Sequence, residues 1–174
     1  AVIERLQEAG IRDIIIWDRF NSDLEDADFV INYQKKPIRC FGNDSVGFEG
    51  EFESFGSAAS LVSKTLTRMC DGVINLPVLK DHGIAGMTGA LKNLFGAIHN
   101  PHKYHLDTGD PYIADVFMFP SISKKIRLHI CDAIVAQYEG GPSYMPQWRW
   151  NHNHILISED PVALDYTGLN MIEQ

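Results

Sequence analysis

Short β-branched runs alternate along this chain with stretches of helical apolar spacing, and that alternation limits the fold more than any other feature. Val2, Ile3, Leu6 and Ala9 repeat at helical intervals and Gly10 supplies a stop. Ile11–Trp17 (IRDIIIW) then reads as a buried strand. The pattern predicts a helix over Ser57–Met69 and a strand over Val73–Leu79, with Pro77 placing that strand at an edge or an end. It predicts a helix over Gly89–Ile98, strands over Arg127–Val135 and His154–Ser158, and a final helix capped by Asp160 with Pro161 at its first position. The expected fold is α/β, a mixed or mostly parallel sheet with helices packed on it. Within residues 21–55, Phe29–Tyr33, Ile38–Phe41 and Gly47–Phe52 are short and broken by Gly, Pro and Asn, which predicts antiparallel strands or an inserted hairpin, a small β-rich insertion. Residues 1–174 read as one domain. The first helix has no cap before it and the last no terminator, so a fragment of a longer chain is expected.

The 15 Lys and Arg against 23 Asp and Glu give a net charge of -8, which argues against general nucleic-acid binding. No apolar run reaches the roughly 20 residues that cross a bilayer. Cys40, Cys70 and Cys131 are far apart and form no Cys-x-x-Cys, so iron–sulfur ligands are not expected. The first residues carry no apolar signal core. The compartment stays open between cytoplasmic and exported with a leader outside this sequence.

The chemistry concentrates in Asn75–Gly96 (NLPVLKDHGIAGMTGALKNLFG), where a strand enters a turn with Gly83, Gly86 and Gly89 and opens a helix. Thr88 is the expected N-cap, and Leu91, Leu94, Phe95 and Ile98 form the buried stripe, leaving Lys92 and Asn93 outside it. Unpaired amides at a helix start attract anions, and Lys80, His82 and Lys92 add donors around the same point. The expectation is an anion-binding turn at the carboxyl edge of a sheet. The glycine spacing is neither the dinucleotide fingerprint nor the phosphate loop.

The string LKDHGIAGMTGALKNLFGAI resembles the signature of the family catalogued as domain of unknown function 362. The resemblance continues through His105, Asp115, the IleCysAspAla strand with Asp132, the Gly140-Gly141-Pro142 turn and AspProValAlaLeuAsp at 160–165. It implies functional roles for Lys80, His82, Thr88, Lys92, Asn93, His105, Asp132, Asp160 and Asp165, and a redox association with a ferredoxin-type partner. Asp81 stands where the family usually has a small hydroxylic residue. A looser similarity links the His–Gly-rich–Lys helix to nickel-cofactor lactate racemases.

Other polar residues carry competing readings. His82, His105 and Asp132 are the candidate divalent-metal set. His152 and His154, two apart, could share a metal but read more simply as a solvated pair. Likewise His129 reads as a satisfied core histidine, Asp160 as a helix cap, and the acidic stretch Asp23–Asp28 as a solvated face. Two functions are expected. One is an enzyme on a small anionic substrate held by Lys80, Gly86, Thr88, Gly89, Lys92 and Asn93, with His82, His105, Asp132 and Asp165 as catalytic or orienting groups. The other is a non-catalytic domain that binds a ligand or a ferredoxin-type partner.

Overall fold

A computed structural model describes residues 1–173. The helices are α1 Val2–Glu8, α2 Asn21–Asp26, α3 Asn43–Val46, α4 Ala90–Asn93, α5 Tyr112–Phe117, α6 Pro120–Ser123 and α7 Pro161–Ile172. The strands are β1 Ile14–Asp18, β2 Ile38–Gly42, β3 Glu53–Phe55, β4 Ala58–Ser60, β5 Val73–Asn75, β6 Val78–His82, β7 Gly86–Thr88, β8 Ile126–Gln137 and β9 Arg149–Ser158. This is an α/β fold with a mixed sheet.

The long strand β8 organises the main sheet. It pairs in parallel with β5 and β6 and antiparallel with β9, while β7 folds back antiparallel on β6. The expected Val73–Leu79 strand is split in two at Leu76–Pro77. Proline has no N–H to give a ladder, but the Pro77 carbonyl still accepts from Asp132 N at 2.8 Å. Both later strands run longer than expected, because their mutual pairing extends to Gln137 and Arg149.

Two local expectations are overturned and a third is refined. Ser57–Met69 is not a helix: Ala58–Ser60 is β4, paired with β3, and only Thr65–Met69 forms a single π-helical turn. Ser57, Ser60, Val62, Ser63, Thr65 and Thr67 are weak helix formers, and tertiary hydrogen bonds such as Ser63 Oγ to Asn43 Oδ1 (2.5 Å) decide the outcome. In the 21–55 stretch, Ile38–Gly42 does form a strand, but it runs parallel to β1. Phe29–Tyr33 and Gly47–Phe52 contribute only the single bridges Asn32–Cys40 and Phe48–Ser63. Finally, the Gly89–Ile98 helix is a short α4 continued as a 3-10 turn, Leu94–Ala97.

Two apolar clusters hold the elements. One gathers Val62, Leu66, Phe95, Ile98, Val116, Phe119 and Ile122 beneath the irregular segments. The other packs Leu79, Cys131 and Ala133 of the sheet against Ala90 of α4 and Leu164 of α7. Each fully buried large side chain contributes about 1.5–3 kcal/mol. The second cluster therefore fixes α4 against both the sheet and α7, which positions the residues considered next.

Candidate functional site

Gly83, Ile84 and Ala85 form the turn of the β6–β7 hairpin, with Gly86 (φ 77°) in the left-handed region that favours glycine. His82 closes this turn. Its Nδ1 accepts from Ile84 N (3.3 Å) and Ala85 N (3.2 Å), leaving the proton of the neutral ring on Nε2. Burial first, then the charges of Lys92 and His105, push the His82 imidazole down to about 4. It is buried, neutral and structural to its own hairpin.

The amides that open α4 are occupied. Asp165, on α7, accepts from Ala90 N (2.5 Å) and Leu91 N (3.0 Å). Thr88 belongs to β7 and makes no capping bond; Gly89 holds the cap position, and a Cβ there would collide with Asp165 Oδ1. The expected anion-binding turn of main-chain amides, with Thr88 as cap and Gly86 and Gly89 as its cradle, is therefore corrected: a carboxylate from the same chain fills it. Asp165 has a cross-element capping role, and its burial raises its carboxyl above the usual range.

Lys92 and His105 nevertheless meet beside that turn. Lys92 Nζ lies 3.1 Å from His105 Nε2 and 4.4 Å from the Phe95 ring centroid. The other nitrogen, His105 Nδ1, lies 3.3 Å from the Pro101 carbonyl, which can only accept. The neutral ring therefore keeps its proton on Nδ1 and offers Nε2 to the lysine. The His82 and His105 rings stack with centroids 5.4 Å apart, and His102 lies 5.7 Å from His105. Lys92 is lowered to about 8, by burial first and then by the charges of Lys80 and Arg19. Burial and Lys92 lower His105 too. Among the described residues, none of Arg19, Lys80 and Lys92 is in an ion pair. Lys80 Nζ instead donates to the Pro142 carbonyl at 3.2 Å.

Arg19 is the residue that sequence reasoning missed. It directly follows β1, at the carboxyl end of a strand, where open α/β folds place ligands. That position was the available signal. Phe95, taken only for the buried stripe, also serves as the surface on which Lys92 rests, a contact worth about 0.5–2 kcal/mol.

Several other candidates lie outside this group. Asp132 alternates with buried Cys131 and Ala133, so it faces the opposite side of the sheet; it is exposed and accepts from Ile134 N at 2.9 Å. The His82, His105, Asp132 metal set is not assembled, and among the described residues no three His, Cys, Asp or Glu side chains are grouped to hold a metal ion. Asn93 donates to Asn75 Oδ1 (2.7 Å), whose amide nitrogen in turn serves Ala90 O (2.7 Å) and His129 Nδ1 (3.0 Å). That network ties α4 to β5 and β8. His129 is thus satisfied on one side only, since its buried Nε2 has no partner among the described residues.

Asp81 is engaged by the Gly140-Gly141-Pro142 turn, with both carboxylate oxygens on Gly141 N (2.8 and 2.9 Å). Asp115 accepts from Ser57 N at 2.7 Å. Asp160 caps α7 as expected, through Val162 N (2.8 Å) and Ala163 N (3.2 Å). His152 and His154 do share a face, with rings 4.4 Å apart. A separate cleft of about 540 Å³ is lined by Glu49, Glu51, Glu53, Arg68 and Ser121 and includes none of the candidate residues.

No helix among the described residues is long and apolar enough to cross a membrane. No curated protein and no solved structure matches the chain. The hairpin, the Lys92 turn and the Asp165 clamp all fall within residues 1–170, the span matched by the family model Domain of unknown function (DUF362), and the chain belongs to that family.

Proposed function

We propose that the chain is an enzyme that binds a small anion, a carboxylate or a phosphate ester, beside Arg19, Lys80 and Lys92, and moves a proton through the Lys92–His105 pair. One observation carries the reading: in a chain of net charge -8, Arg19 and Lys80 lie within electrostatic reach of Lys92, and none of the three is in an ion pair among the described residues. Like charges cost energy when gathered, and Asp18, the carboxylate that feels the charge of Lys80, forms no ion pair with any of the three among the described residues, so the group favours an anion arriving from solution. The direct contact between Lys92 and a neutral imidazole supports the proton-transfer half, because each group can hold the proton the other releases.

Asp132 has no part in this reading, and Asp165 acts by holding α4. The test is calorimetric titration with inorganic phosphate and with oxalate at low salt. Lys80→Met and Arg19→Met should each weaken binding roughly tenfold, the effect of about 1.4 kcal/mol. Affinity unchanged in both variants would refute the site.

A further inference from the structure

We propose that Lys92 is an amine nucleophile that condenses with the carbonyl of a small oxo acid, whose carboxylate rests on Lys80 and Arg19. This deepens the anion-site reading and rests on it. Charge alone would be served better by a lysine out in solvent. Lys92 is instead half-buried, laid over Phe95, crowded by two cations and bonded to an imidazole acceptor rather than a carboxylate. Burial and the neighbouring charges weaken the ammonium form, outweighing the Phe95 face and the imidazole acceptor, which favour it. The imidazole 3.1 Å away is placed to take the proton that frees the amine.

The magnitude supports this. With the lysine lowered to about 8, roughly a quarter is neutral amine at pH 7.5, against roughly one part in a thousand for an ordinary lysine.

The step balances without an oxidant or reductant. Lys92 passes a proton to His105 Nε2, and its freed lone pair attacks the carbonyl carbon. The C=O π pair moves to oxygen, which takes that proton back and gives a carbinolamine. A second N–H proton then travels through the same imidazole to the hydroxyl, the C–O bond breaks and water leaves. An ammonium and a carbonyl have become a protonated iminium and water, and His105 is neutral again.

The experiment incubates the folded chain with pyruvate and cyanoborohydride at pH 7.5, followed by intact mass and peptide mapping. One reduced adduct per chain, located at Lys92, is expected. It should be absent with lactate, absent in Lys92→Arg with an unchanged circular-dichroism spectrum, and suppressed by inorganic phosphate. Adducts spread over the surface lysines, or none at Lys92, would overturn the proposal even where phosphate still binds through Lys80 and Arg19. An adduct at Lys92 that forms as readily with acetone and ignores phosphate would overturn the oxo-acid assignment and the anion site together, leaving only a reactive amine.

Discussion

The carboxylate of Asp165 occupies the space that a Cβ on residue 89 would need, so Gly89 and Asp165 act as one unit across 76 positions of sequence. The glycine lets the acid reach the Ala90 and Leu91 amides, and the acid satisfies donors that Thr88 leaves unpaired. Asp165→Ala should cost about 1–3 kcal/mol by orphaning those amides, and Gly89→Ala about 1–3 kcal/mol by overpacking. The double variant should cost less than the sum, since without the carboxylate only the flexible end of the Met87 side chain still crowds the methyl group. Urea unfolding of the four proteins measures the coupling; strict additivity would show that the two residues act separately.

Acid should destabilise the fold in a specific window. His82 is held near 4 in the folded chain against 6.5 for the free ring, so the folded state binds fewer protons than the unfolded one between those values. Its contribution is complete above pH 6.5 and is lost as pH falls toward 4. The lowered His105 acts in the same direction. Histidine NMR should find the His82 ring untitrated between pH 6 and 7. His82→Gln should flatten the acid limb of stability, and a normal His82 titration would contradict the buried assignment.

Lys92 makes the opposite end of the pH scale informative. Its folded value of about 8 lies below 10.5, so stability should rise as pH climbs through that interval. Lys80→Met removes one of the charges depressing it and should move the Lys92 midpoint upward and shrink the rise. Carbon-13 NMR of the lysine Cε groups reads the midpoint directly. A Lys92 titration indifferent to residue 80 would place the two amines too far apart to share an anion.

Asn93 and Asp132 should separate folding from binding. Asn93→Ala breaks the bond to Asn75 at the base of α4 and should cost about 1–3 kcal/mol of stability. Asp132→Asn, at an exposed position on the far face, should stay within about 0.5 kcal/mol and leave phosphate affinity unchanged. Weakened phosphate binding in Asp132→Asn would return that residue to the site.

Elements whose causes are local could be read from the order of residues alone. The β-branched runs gave β1 and most of β8, Asp160-Pro161 gave the start of α7, and the Lys80–Lys92 segment marked where the chemistry lies. Tertiary structure decided the rest. Strand direction in β2 depends on pairing with β1, and the Ser57–Met69 stretch, weak in helix propensity, was claimed by partners distant in sequence. The site changed for the same reason: amides that look free in the sequence were filled by a carboxylate 75 residues away. Lys92 and His105 meet, with Arg19 and Lys80 within electrostatic reach, only once the sheet, α4 and the Pro101 turn are packed together. Periodicity records which residues face inward, but electrostatic contact is set by distances that exist only in the folded chain.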